Sequence, residues 1–90
     1  MSYQATEYVR QLTNLNHVEK AVAFAMACHA DAYGCEVRPS MTTTAKESGL
    51  QDRETASRVV RRLVEKGVLE CLKESKGGQP SIYCFPGMGV

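Results

Sequence analysis

The chain predicts a mainly helical α+β domain, a three-helix core followed by a C-terminal β-hairpin. Apolar residues recur at helical spacing through residues 16–66, between residues suited to capping helix ends. After Gly67 the period shortens towards two, and KGGQ at 76–79 separates two short apolar runs. Ninety residues make one domain, and a chain of that size buries only about 60–65% of its unfolded surface, so its helices must pack closely.

Residues 1–15 are polar with scattered apolar positions (Tyr3, Ala5, Tyr8, Val9 and Leu12), which suit either a short helix or an extended arm against the body. Asn16 is the expected N-cap of a longer helix, with Glu19 at capping-box spacing. Val18, Val22, Ala25, Cys28 and Ala32, with Ala21, Phe24 and Met26, make its buried face. Gly34 is expected to end it near Tyr33. Residues 35–38 form an extended link, because the residue before Pro39 is kept out of helical geometry.

Ser40 then caps a helix over Met41 to Ser48, Gly49 closes it, and Leu50 plugs the turn into the core. Asp52 caps the next helix, which spans about 52–66 and ends at Gly67. Val68 to Glu74 and Ser81 to Phe85 read as the strands of a hairpin, which needs the helices to pack on. Residues 1–85 thus form the domain, and 86–90 a frayed tail or the start of a linker.

With 43% hydrophobic and 23% charged residues the chain has the composition of a globular protein. Its longest apolar run, AVAFAMAC at 21–28, has eight residues, against about 20 needed to cross a bilayer. The N-terminus lacks a positive cluster followed by an apolar run, so a cytoplasmic address without membrane association is expected. Cys28, Cys35, Cys71 and Cys84 match no zinc-knuckle spacing. They are expected to be buried free thiols.

Net charge is only +1, which argues against a protein that coats nucleic acid through bulk electrostatics. Its distribution is uneven: residues 1–45 carry three basic and four acidic side chains, whereas residues 46–90 carry eight and six. The excess centres on the helix after Asp52. There Arg53, Arg58, Arg61 and Arg62 surround an apolar stripe of Ala56, Val59, Val60 and Leu63. A short helix, a Gly-containing turn and such a helix are the sequence form of a helix-turn-helix. With the hairpin added, the order is that of a winged helix, the wing tip at 76–79.

The opening MSYQATEYV, the helix EKAVAFAMACHADAYG, the segment PSMTTTAKESGL, the run RETASRVVRRLVEKGVLE and the hairpin KGGQPSIYCF resemble the winged helix-turn-helix domain at the N-terminus of phage and plasmid replication proteins. The resemblance covers residues 1–85. It departs from the family pattern at Thr44, where a Leu is usual, and at Ala56, where a Val or similar residue is usual. The resemblance implies duplex DNA of a phage, plasmid or prophage as partner, with origin recognition or transcriptional control as the role. The family's further region, which contacts the replication machinery, does not follow here, as expected of a stand-alone relative or an excised domain.

Arginine donates bidentately to guanine O6 and N7, which places Arg53, Ser57, Arg58 and Arg61 near base edges and Arg62, at the flank, on phosphate. Ser40, Thr42 and Thr43 can donate to a phosphate at a helix N-terminus, and Lys76 can meet the backbone or minor groove from the wing. Glu54 and Glu65 oppose phosphate, although Glu54 could accept from cytosine N4. No catalytic activity, metal or cofactor is expected: His17 and His29 lie near opposite ends of one helix, and the glycine pairs lack the flanks of phosphate-binding loops. The rival reading is a winged helix that binds a protein of a replication or regulatory assembly, its arginines facing carboxylates. A homodimer bound to two half-sites would use Tyr3 to Leu12 as its interface.

Overall fold

Helix α2, His17–Ala27, is the central element, with α1 (Tyr3–Gln11), α3 (Met41–Ser48) and α4 (Arg53–Glu65) packed against it. The computed structural model describes residues 3–31, 34–35, 37, 39–74 and 81–88. Strands β1 (Glu70–Lys73) and β2 (Ile82–Cys84) pair antiparallel, so the fold is mixed α+β, with four helices and one two-stranded sheet among the described residues. No helix among them is long and apolar enough to cross a membrane.

The first segment is therefore a helix rather than an arm. Ala5 and Val9, one turn apart, are its buried residues. Its C-terminal carbonyls find a donor on the neighbouring helix: Lys20 Nζ donates to the Arg10 and Leu12 carbonyls at 2.9 and 2.6 Å. This answers the requirement that the last carbonyls of a helix be satisfied from outside it.

The expected capping box at the start of α2 is present. Glu19 N–H donates to Asn16 Oδ1 at 2.8 Å, and Asn16 N–H donates to Glu19 Oε1 at 3.0 Å. The far end differs from expectation. Regular helix stops at Ala27, well before Gly34, and Ala32 and Tyr33 lie outside the described residues. The chain leaves the helix through tighter turns, with His29 N–H donating to the Met26 carbonyl and Ala30 N–H to the Ala27 carbonyl. Asp31 then organises a separate turn: its carbonyl accepts from Gly34 N–H at 3.0 Å and its carboxylate from Cys35 N–H at 2.9 Å. Gly34 does adopt a positive φ of 76°, but as part of this turn. A Cβ there would also press on the Met88 sulfur.

Helices α3 and α4 have the expected bounds within a residue, and both end in the same way. Gly49 and Gly67 have φ of 75° and 78°. Beyond them Leu50 N–H donates to the Ala45 carbonyl and Val68 N–H to the Leu63 carbonyl, the long bond of a Schellman motif. The second motif shortens the first strand. The N–H groups of Val68 and Leu69 both point back to the Leu63 carbonyl, so ladder pairing starts only at Glu70 rather than at Val68. The ladder is irregular between Cys71 and Lys73, and Leu72, on the same outer side as Glu70, is 52% exposed.

The extended link contributes a further pairing. Val37 exchanges both backbone hydrogen bonds with Tyr83, and Phe85 N–H donates to the Gly34 carbonyl at 2.7 Å, so β2 is held between β1 and the link. Phe85 is fully buried and meets Tyr8 edge-to-face, with ring centroids 6.1 Å apart. Pro86 to Met88, within the segment expected to fray, form a turn: Met88 N–H donates to the Phe85 carbonyl, and Met88 packs on the core. Gly87 lies so close to the Tyr8 hydroxyl that a Cβ would collide with it.

The core gathers Val9, Val22, Met26, Val37, Val59, Leu63, Leu69 and Phe85. It corrects the expected face of α2. Ala23 and Ala27 are buried, while Val18, Ala21, Phe24 and Cys28 are only half-buried. Thr44, at a position expected to depart from the family pattern, is fully buried, and its hydroxyl has no hydrogen-bond partner among the described residues. None of the four cysteines is in a disulfide, as expected, but only Cys84 is buried. Burial, with Cys35 nearby, pushes its thiol up.

Candidate nucleic-acid interface

Helix α4 is divided by its sequence into two sides. Ala56, Val59, Val60 and Leu63 are all buried, which fixes the orientation of the whole helix. At 100° per residue the stripe diametrically opposite is Glu54, Arg58, Arg61 and Glu65. All four are exposed, so the outermost line of α4 carries two cations and two anions, with no net charge. Arg53 and Arg62 are exposed on either flank, and Ser57 is half-buried beside Arg53.

The carboxylates on and around α4 have different surroundings. Asp52 is held at the helix end, its Oδ1 accepting from Thr55 N–H at 2.8 Å and Thr55 Oγ1 at 2.9 Å. These bonds, the backbone one foremost, lower its carboxyl below the usual range, with Arg58 adding a weaker electrostatic contribution. Glu54 faces outward, with its carboxylate 4.0 Å from the Arg58 guanidinium. Both side chains are largely exposed, 81% for Glu54 and 72% for Arg58, so this is a loose surface pair.

A third carboxylate lies at the C-terminal end of α4. Glu19, only 2% exposed, accepts from Lys66 Nζ at 2.7 Å as well as from its capping partner. The Lys66 bond is the main reason its carboxyl is held below the usual range, and Arg62 contributes at longer reach. Lys66 also donates to the Asn14 carbonyl at 3.0 Å, so the end of α4 is bolted to the start of α2. The register of the exposed side of α4 is thus set by a buried apolar stripe and by a polar lock at its C-terminus.

The remaining expected residues fall at the start of α3. Ser40 accepts from Thr43 N–H at 3.1 Å and donates to Thr43 Oγ1 at 3.0 Å, so both hydroxyls serve the cap. Thr42 is exposed and Thr43 half-buried. They sit at the end of α3 remote from the turn into α4, about 12 Å along the axis for eight residues. Lys76 lies outside the described residues. Two further exposed polar side chains lie between these groups: Lys46, which shares the outer side of α3 with Thr42 at i,i+4 spacing, and Gln51 in the turn. The spacing from Thr42 was the available signal for Lys46.

His29 Nε2 is 2.8 Å from Glu47 Oε1 in an exposed pair that ties the end of α2 to α3. Among the described residues no group of three or more histidine, cysteine or acidic side chains could hold a metal. What α3 and α4 present is a set of guanidinium, ammonium and hydroxyl donors, interrupted by the carboxylates of Glu47, Glu54 and Glu65. Compared with family models, curated proteins and solved structures, the chain finds a match in none of the three.

Proposed function

We propose that this is a winged helix-turn-helix domain that binds duplex DNA with a sequence preference. Helix α4 would lie in the major groove, and the segment at 76–79 would act as a wing on the backbone or minor groove. The observation that carries the reading is the division of α4: every residue of its apolar stripe is buried and all of its arginines are exposed. It follows directly on a short helix and a glycine turn, the geometry in which a second helix protrudes far enough to enter a groove. The strand pairing from Val37 supports the same layout by joining the hairpin to the segment that enters α3. By the family resemblance, the setting is replication initiation or transcriptional control of a phage, plasmid or prophage. Arg53, Ser57, Arg58 and Arg61 are the base-facing residues of this reading, and Arg62, Thr42 and Lys46 the phosphate-facing ones.

The charge-neutral outer stripe favours one other reading, a winged helix that docks on a protein of a replication or regulatory assembly. Alternating charges on an exposed helix suit a mixed polar interface with matching side chains of a partner. Fluorescence anisotropy with a pool of short duplexes at two salt concentrations separates the two. DNA binding predicts a signal that weakens at the higher salt and in the Arg58→Ala, Arg61→Ala double variant. Absence of binding at low salt would move the function to the protein-docking reading.

A further inference from the structure

We infer that Glu54 and Arg58 form one reading unit, which selects a cytosine and a guanine about two base-pair steps apart. This rests on the DNA-binding reading above and concerns what that site selects. The two side chains leave the outermost line of α4 one turn apart, and their charged ends are 4.0 Å from each other. Four residues of helix span about 6 Å, which matches roughly two base-pair steps of 3.4 Å along the duplex.

The carboxylate is the informative partner. A glutamate carried towards phosphates is repelled unless it accepts a hydrogen bond that repays its desolvation. In the major groove the base-edge N–H donors are cytosine N4 and adenine N6. Adenine places the N7 acceptor beside its donor, where a second carboxylate oxygen would be repelled; cytosine has no such neighbour on its own edge. Glu54 therefore discriminates for cytosine, chiefly by penalising every other base. Asp52 cannot play this part, because its carboxylate is committed to Thr55. Arg58 supplies two parallel donors for guanine O6 and N7, and both side chains leave α4 on the side opposite its buried stripe.

The test is selection from a randomised duplex pool by the full chain, with Glu54→Gln, Arg58→Ala and Arg58→Lys alongside and helical content and melting recorded for each. The parent should enrich a cytosine and a guanine at one fixed separation. Glu54→Gln should lose the cytosine, with about a tenfold loss of discrimination there, and keep the guanine. Arg58→Ala should do the reverse. Arg58→Lys should lose the guanine while leaving the salt dependence in place, because it keeps the charge but not the fork of donors. Retention of the same cytosine by a folded Glu54→Gln variant overturns the inference and leaves DNA binding intact, as does a parent that binds every duplex alike. A parent that retains no duplex at low salt overturns the DNA-binding reading and this inference with it.

Discussion

Glu19 shows how much a single side chain can join. Its carboxylate completes the cap of α2, accepts from Lys66 and is almost wholly out of water. Half of this was legible in the sequence, because Asn16 and Glu19 have capping-box spacing. The other half was not, since Lys66 lies 47 residues away and no local pattern announces it. The pairing has a consequence for stability against pH. The folded-state carboxyl is held below the usual range, so the unfolded chain takes up a proton first as pH falls. The stabilisation is therefore complete above the unfolded carboxyl's range and is lost as pH descends towards the folded one. Asp52 acts in the same direction through Thr55. Urea unfolding should show stability declining below about pH 5. Glu19→Gln should be less stable than the parent by about 2 kcal/mol at pH 7, from the weakened cap and ion pair, with the gap narrowing by pH 3. Parallel curves for the two proteins would show that the pairing contributes nothing through its charge.

Among the elements, the ends explain where sequence patterns held and where they failed. α3 and α4 begin at side chains that cap them and stop at glycines, and both signals are local in the chain, so their bounds could be read. The end of α2 could not, because Asp31 diverts the chain by bonding Cys35, a contact that competes with further helix only once the link is paired with β2. The first strand was over-extended for a similar reason: Val68 and Leu69 have strand-like side chains, yet their N–H groups belong to the end of α4. That end is open to a direct test. Gly67 has a φ of 78° and open space where a Cβ would point, so Gly67→Ala introduces backbone strain without a clash. The expected cost is about 1 kcal/mol, seen as a lower urea midpoint with an unchanged slope. Amide exchange should rise selectively at Val68 and Leu69. Unchanged exchange there would mean that the Schellman bonds do not hold the junction between α4 and the hairpin.

Across the whole molecule, the balance of charge decides what kind of ligand the surface can take. The arginine content of α4 was plain in the sequence, but its near-neutral outer stripe emerged only once the buried stripe had fixed the helix's rotation and showed Glu54 and Glu65 facing the same way as Arg58 and Arg61. A binding energy drawn from phosphates must therefore come from outside that stripe, where Arg62 and Lys46 are exposed. Two such contacts correspond to a slope of about −2 in the logarithm of the binding constant against that of salt concentration. Arg62→Ala should flatten it by about one and weaken all sequences alike, because a phosphate contact positions the protein without reading a base. Glu65→Gln should act in the opposite sense, strengthening binding to every duplex by removing a repulsion at the far end of the stripe. A slope about two units steeper would place the two outer arginines on phosphates as well and remove them as base readers. A slope near zero would mean that the arginines meet carboxylates of a protein partner, for which the same acid, base, base, acid order along α4 is a ready complement.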